Sequence, residues 1–345
     1  GSLFFHSLID GHPELMTIPG IYLKGWFGFD VWDKFVPDTS RSDWREQLID
    51  TFLEQYEPMF NANSNKNVIG KPLGDSSWLA KSLGFTELGP SQSEALILDC
   101  ERVKQNLLSL LKSRSSIGPD EFFKLVHLAC HNLRTHERAS TLGGPNHIFY
   151  HMHNPSSLEL ASFSRYYPAA RFLILVRHPL QNLESWMSTY QSSTPSIVSW
   201  NKMISPIHGL FVAMLFRYKK NINHRVIKLE DTKLYKDSVM STVSQWIGVS
   251  DDPCLYKSEF YGMQYWGPSS QKGIKITGFD TSTIDRPVGK LLGKRDIKIF
   301  ETLFWPVSNA YGYTEISQTQ FREQLKEIEP WVHEPLEFEL EIYNK

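Results

Sequence analysis

Apolar residues at helical spacing open the chain. Leu3, Phe4, Leu8 and Ile9 fall on one side of a predicted helix, and Gly11 ends it. A short strand is predicted over 16–18, followed by an aromatic stretch (Tyr22, Trp26, Phe27, Phe29, Trp32, Phe35) punctuated by glycine. From about 38 to 141 the period turns helical. One helix starts with Ser42 as N-cap and Asp43 in its first turn and runs to about Tyr56, before Pro58. Two more amphipathic helices are predicted over 93–112 and 119–134, the second with Pro119 in its first turn. Beyond 145 strands and helices alternate. Strands are predicted over 147–151, 171–176 and 225–229, and helices over 156–166, 180–190, 200–221 and 233–247, the last stopped by Gly248.

The run Phe172 to Val176 is apolar throughout, as in a parallel strand covered on both faces. This alternation predicts an α/β fold: a doubly wound parallel sheet flanked by helices, with the helical block of 38–141 inserted into it. The stretch 256–282, rich in Gly, Ser, Thr and aromatics, reads as loop, and 294–303 as helix. The region 316–345 carries Glu323, Glu327, Glu329, Glu334, Glu337, Glu339 and Glu341 and reads as a solvated C-terminal appendage. One domain spanning 1–345 is expected. A helix that opens at the first residue, with no strand feeding it, suggests a fold entered partway through. Upstream sequence is then absent, or Gly1-Ser2 are foreign residues that happen to fit.

Composition narrows the function. The 345 residues are 41% hydrophobic and 21% charged, the balance of a folded globular enzyme. A net charge of −2 supplies no global field toward nucleic acid or an anionic membrane, so any anion site must be a local cluster. Cys100, Cys130 and Cys254 form neither a zinc pattern nor a disulfide set, which points to a reducing, cytoplasmic compartment. The longest apolar runs are strand length, so no membrane span is expected.

Three places carry candidate chemistry. Gly1-Ser2 lie at a helix start, where free N–H groups and a hydroxyl suit a phosphate. Arg177 ends a buried strand, Pro179 starts the next helix, and Ser185 follows in its second turn. Arginine there suits bidentate phosphate binding, although it could also pair with an acid. His151 and His153 follow the strand 148–150 and point to the same side of an extended segment. No third ligand at useful spacing accompanies them, so a metal is not expected. A histidine at a strand end beside an anion site suits general-base work, while a lone histidine is also common in cores.

Together these pieces resemble the sulfotransferases that use 3′-phosphoadenosine 5′-phosphosulfate (PAPS). The opening, from Gly1-Ser2 through Ile9-Asp10-Gly11-His12-Pro13, is similar to that family's phosphosulfate-binding loop and helix. Leu175-Val176-Arg177-His178-Pro179 through Ser185 resembles its 3′-phosphate motif, with arginine and serine eight positions apart. Val226 to Asp231, then Trp246-Ile247-Gly248-Val249, looks like its later strand–helix segment. The resemblance covers the first fifteen or so residues and roughly 145–315; it does not extend to 38–141.

The resemblance implies a P-loop-like sulfotransferase core that moves a sulfuryl group from PAPS to an acceptor hydroxyl, leaving 3′-phosphoadenosine 5′-phosphate (PAP), without a metal. Gly1 and Ser2 would hold the 5′-phosphosulfate, and Arg177 and Ser185 the 3′-phosphate. Lys272-Gly273 would close over the latter, and His153 would act as base with His151 beside it. His151 stands where the family's cytosolic branch has lysine, and Gln271 where it has arginine. The family's other base, a glutamate soon after His-Pro, has no counterpart in 16–23. The acceptor would be a hydroxyl-bearing small molecule or glycan, for which Trp186 and the aromatics of 22–35 offer stacking faces. The oligomeric state is not legible. Two alternatives stay open: a P-loop nucleotide kinase, with Glu230-Asp231 holding a metal, and a non-catalytic relative that binds PAP or a nucleotide.

Overall fold

A computed structural model describes residues 1–20, 23, 26–27, 31–64, 83–135, 147–152, 157–193, 223–267 and 278–343. The predicted helix over 200–221 lies outside them. The fold is mixed α/β, and the chain clusters into two compact units. One comprises Gly1–Ala170 with Lys233–Asp280, the other Arg171–Thr232 with Thr281–Lys345.

In the first unit the opening helix Ser2–Ile9 leads into strand β1 (Leu15–Thr17), which pairs in parallel with β2 (His147–Phe149). The chain between them supplies helices Trp44–Gln55, Cys100–Leu111 and Pro119–Thr135, close to the predicted spans. Two helix starts differ from expectation. The first has Asp43 rather than Ser42 at its N-cap, and that carboxylate accepts from Arg41 and Gln47. The second begins at Cys100, not 93, because Asp99 caps it by accepting from the Arg102 amide at 3.0 Å. The residues before it are spent on extended contacts, with bridges Leu88–Glu94 and Asn61–Ile97.

These helices and the aromatic stretch share one core. Trp26 is 1% exposed, lies parallel to Phe122 at 5.9 Å, and donates its indole N–H to the Pro119 carbonyl at 3.1 Å. Phe27 and Phe35 are buried as well, so the described aromatics here are core residues, and Tyr22 and Phe29 lie outside the described set. Arg45 secures the far end of Cys100–Leu111 by donating to the Leu111 carbonyl at 3.0 Å. The expected loop 256–282 contains a small hairpin, β5 (Glu259–Phe260) with β6 (Met263–Gln264). Its turn places Tyr261 at φ 53° and Gly262 at φ 77°. A tyrosine in that left-handed region is uncommon, and its amide is held by Asp10 at 2.9 Å.

Inside this core His127 Nδ1 donates to the Phe123 carbonyl (2.8 Å), and burial, with a smaller effect from His6, lowers its pKa to about 4. The folded state therefore refuses a proton that the unfolded chain accepts below about pH 6.5. Stability contributed by neutral His127 is complete above pH 6.5 and is lost as pH falls toward 4. The expected loss is ~2 kcal/mol between pH 6.5 and pH 5. Denaturant melts at the two pH values check this, with His127→Gln expected to flatten the dependence.

In the second unit β3 (Arg171–Val176) and β4 (Asn223–Lys228) run parallel in the register Arg171↔Asn223 to Val176↔Lys228. The described strands thus form three two-stranded sheets rather than one traced doubly wound sheet. The single helix expected over 233–247 is two, Leu229–Leu234 and Lys236–Ile247, the second belonging to the first unit and closed by Gly248 at φ 85°. Helix Pro179–Ser193 packs Leu180, Leu183 and Met187 against Ile299, Phe300 and Phe304. The acidic stretch read as an appendage reaches this core through buried Ile328, Leu336 and Phe338. Asp296, fully buried in helix Lys294–Leu303, accepts from the Glu337 and Phe338 amides at 2.8 and 2.9 Å. Glu337 in turn accepts from the Arg295 amide at 3.2 Å, so the two helix starts cap each other.

Candidate functional site

In the first unit Gly1 is the N-cap of the opening helix, and Ser2 begins it. The Phe5 amide takes the Gly1 carbonyl at 3.0 Å, so the amides of Ser2 to Phe4 precede the helical ladder, as at an anion-binding helix start. The rest of the motif anchors this helix. Asp10 accepts from the Thr17 hydroxyl and the Tyr261 amide. His12 Nδ1 accepts from the Glu14 amide at 3.1 Å, which leaves Nε2 to donate to the Ser250 carbonyl at 3.0 Å. Phe4 meets Phe279 edge-on at 5.5 Å, and the Ser7 and Ser258 hydroxyls are 2.7 Å apart. Gly278 makes that approach possible: a Cβ there would stand 2.5 Å from Ser258 Cβ and 2.7 Å from the Phe4 ring. Beside these contacts a cavity of about 280 Å³ is lined by Tyr256, Ser258, Gln264 and Phe279 among others.

His151 is buried, its ring edge-on to His6 at 5.6 Å, while His6 also packs on Phe149 and Phe260. It sits as a core histidine sits. His153, Lys272 and Gly273 lie outside the described residues. Among the described residues no group of three or more His, Cys, Asp or Glu is arranged to hold a metal ion, and no helix is long and apolar enough to cross a membrane.

In the second unit Arg177 stands at the carboxyl end of β3, half-buried. Its Nη2 donates to Gln181 Oε1 at 3.2 Å and to the Thr283 carbonyl at 3.3 Å, both neutral partners. Burial and then repulsion from Arg286 hold its pKa below the usual arginine value, with Glu230 and Tyr313 opposing. Gln181 and Ser185 are four residues apart in helix Pro179–Ser193 and share a face, so Ser185 lies one turn beyond the Arg177 contact. A half-buried guanidinium with a second one nearby and a serine on the adjoining helix face suits a phosphate in charge and donor type. Arg286 carries no local signal in the sequence; it is recognised only because 281–292 folds back onto this helix.

Glu184 holds that fold-back. Its buried carboxylate accepts from the amides of Gly289 (3.0 Å), Leu291 (2.8 Å) and Leu292 (3.3 Å). Glu184→Ala would strand three amides, and a loss of about 2–4 kcal/mol is expected, read from chemical denaturation midpoints. Glu230, a residue of the expected strand–helix segment, accepts from the His178 amide at 3.0 Å and from the Tyr313 hydroxyl at 2.8 Å. His178 packs on Tyr313 at 5.5 Å, and burial lowers its pKa; its Nδ1 has no hydrogen-bond partner among the described residues.

No protein-family model matches the chain, and no curated protein matches it. Among solved structures it is similar to a sulfotransferase domain from the curacin biosynthetic pathway, at 13% sequence identity and a TM-score of 0.41, over 63% of this chain and 75% of that one.

Proposed function

We propose that this protein is a sulfotransferase that takes PAPS as donor and a hydroxyl-bearing small molecule or glycan as acceptor. The observation that carries the reading is the Arg177 end of β3, where the guanidinium donates to the neutral oxygens of Gln181 and Thr283 and lies near Arg286, with Ser185 on the adjoining helix face. Those groups would take the 3′-phosphate. The Gly1 backbone and Ser2, at the start of the opening helix, would take the 5′-phosphosulfate, with Lys272 and Gly273 closing over the 3′-phosphate as in the family the sequence resembles. The fold proposed around them is that family's doubly wound core.

Bound PAPS supplies an activated sulfuryl group. The chain supplies the rest: His153 accepts the proton of the acceptor hydroxyl, and helix-terminal amides with the Ser2 hydroxyl neutralise charge developing on the 5′-phosphate. Positioning and charge neutralisation carry most of the rate, as in phosphoryl transfer. The kinase alternative would use Glu230-Asp231 to hold a metal, and the Glu230 carboxylate is instead engaged by the His178 amide and the Tyr313 hydroxyl. Incubation with sulfur-labelled PAPS and a panel of phenolic, alcoholic and sugar acceptors should yield a labelled product together with PAP. PAP binding without turnover on any acceptor would support the non-catalytic alternative instead.

A further inference from the structure

The register Val176↔Lys228 brings the ends of β3 and β4 together, so the residue two beyond Lys228 stands beside the residue two beyond Val176. These are Glu230 and His178, joined through the His178 amide and Glu230 Oε1 at 3.0 Å. A carboxylate beside the residue that follows Arg177 is a ready ion-pair partner for that arginine. Among the described residues no ion pair reaches Arg177, and its hydrogen bonds go to Gln181 and Thr283. The second oxygen of Glu230 is taken by the Tyr313 hydroxyl at 2.8 Å, and Tyr313 is itself fixed by packing on His178 (5.5 Å) and by Lys228 Nζ over its ring (4.7 Å).

We infer that Tyr313 is a positioning residue for the anion site: by donating to Glu230 it keeps that carboxylate from pairing with Arg177 and leaves the guanidinium available to phosphate. The inference rests on the reading of Arg177 as a phosphate ligand. A fork between Glu230 and the guanidinium would need both carboxylate oxygens turned toward Arg177, and the His178 amide and the Tyr313 hydroxyl hold the carboxylate in another orientation. Without the hydroxyl, the carboxylate is held at one oxygen alone and can turn toward Arg177, on which its charge already acts. An Arg177–Glu230 pair formed in the free protein would then have to break before a phosphate could bind, lowering apparent affinity by the fraction so paired. Glu230 is thus an internal competitor for the ligand, and Tyr313 holds it in check.

The test is calorimetric titration of PAP, and of adenosine 5′-monophosphate (AMP), which lacks the 3′-phosphate. The wild type, Tyr313→Phe, and Tyr313→Phe combined with Glu230→Gln are compared, with thermal midpoints recorded to confirm folding. The expected result is that Tyr313→Phe loses about tenfold in PAP affinity with AMP unchanged, an effect the size of one partly buried ion pair. The double variant recovers the affinity, because glutamine can still accept from the His178 amide but carries no charge to compete. Wild-type PAP affinity in Tyr313→Phe, or no recovery in the double variant, would overturn the inference and leave Tyr313 a packing residue. Equal binding of PAP and AMP by the wild type would overturn the phosphate reading of Arg177, and this inference with it.

Discussion

Arg177→Ala is expected to weaken PAP binding by about a hundredfold, ~3 kcal/mol, while leaving the fold intact. Both halves follow from the same geometry. Arg177 is held partly out of water, near Arg286, and among the described residues its hydrogen bonds are two long ones to neutral oxygens. Such an arginine contributes little to the free protein, since its desolvation and the repulsion from Arg286 offset what those bonds return. A phosphate repays both at once. Titration of PAP should therefore show the loss, and the thermal midpoint of the ligand-free variant should not fall. Arg177→Lys is expected to recover only part of the affinity, because an ammonium cannot present the fork that two phosphate oxygens accept. Unchanged PAP affinity in Arg177→Ala would remove the residue from the site.

His153→Ala is expected to lower turnover by about 10²–10⁴-fold with PAP affinity nearly unchanged. It follows His151, whose ring is buried against His6, and that burial turns attention from the first histidine of the pair to the second. A base acts on the acceptor's proton, so its removal falls on kcat and erases the acidic limb of the pH–rate profile, whereas a loss of packing would lower the melting temperature. Turnover near the wild-type value would exclude His153 as base.

Much of the chain's local structure was legible because its signals are local. The apolar run Phe172 to Val176 marked β3, and Gly248 marked a helix end that the structure closes at φ 85°. Lys294–Leu303 was read to the residue, since its apolar positions recur cleanly at helical spacing. The failures are long-range. Tyr261 adopts a turn conformation that asparagine or glycine would have advertised, and it does so where Asp10, 251 residues earlier, accepts from its amide. Ile328, Leu336 and Phe338 are spaced among glutamates, so the C-terminal stretch looked solvated although it completes a core.

The candidate site divides the same way. Arg177 and Ser185 lie within one strand–helix unit and could be seen together. Arg286, Glu230 and Tyr313 reach that unit from distant segments, and only the register of β3 against β4 and the fold-back of 281–292 bring them to it. Asp10 and His12 taught the converse. They drew notice as part of an anion-binding motif, yet their side chains bind Thr17, Tyr261, Glu14 and Ser250 and serve to fix the helix that carries Gly1 and Ser2.

A crystal structure of the protein with PAP is the measurement on which the reading turns. The expected density has the 3′-phosphate hydrogen-bonded to the Arg177 guanidinium and the Ser185 hydroxyl. A 3′-phosphate bound elsewhere, with Arg177 still paired only to Gln181 and Thr283, would contradict it.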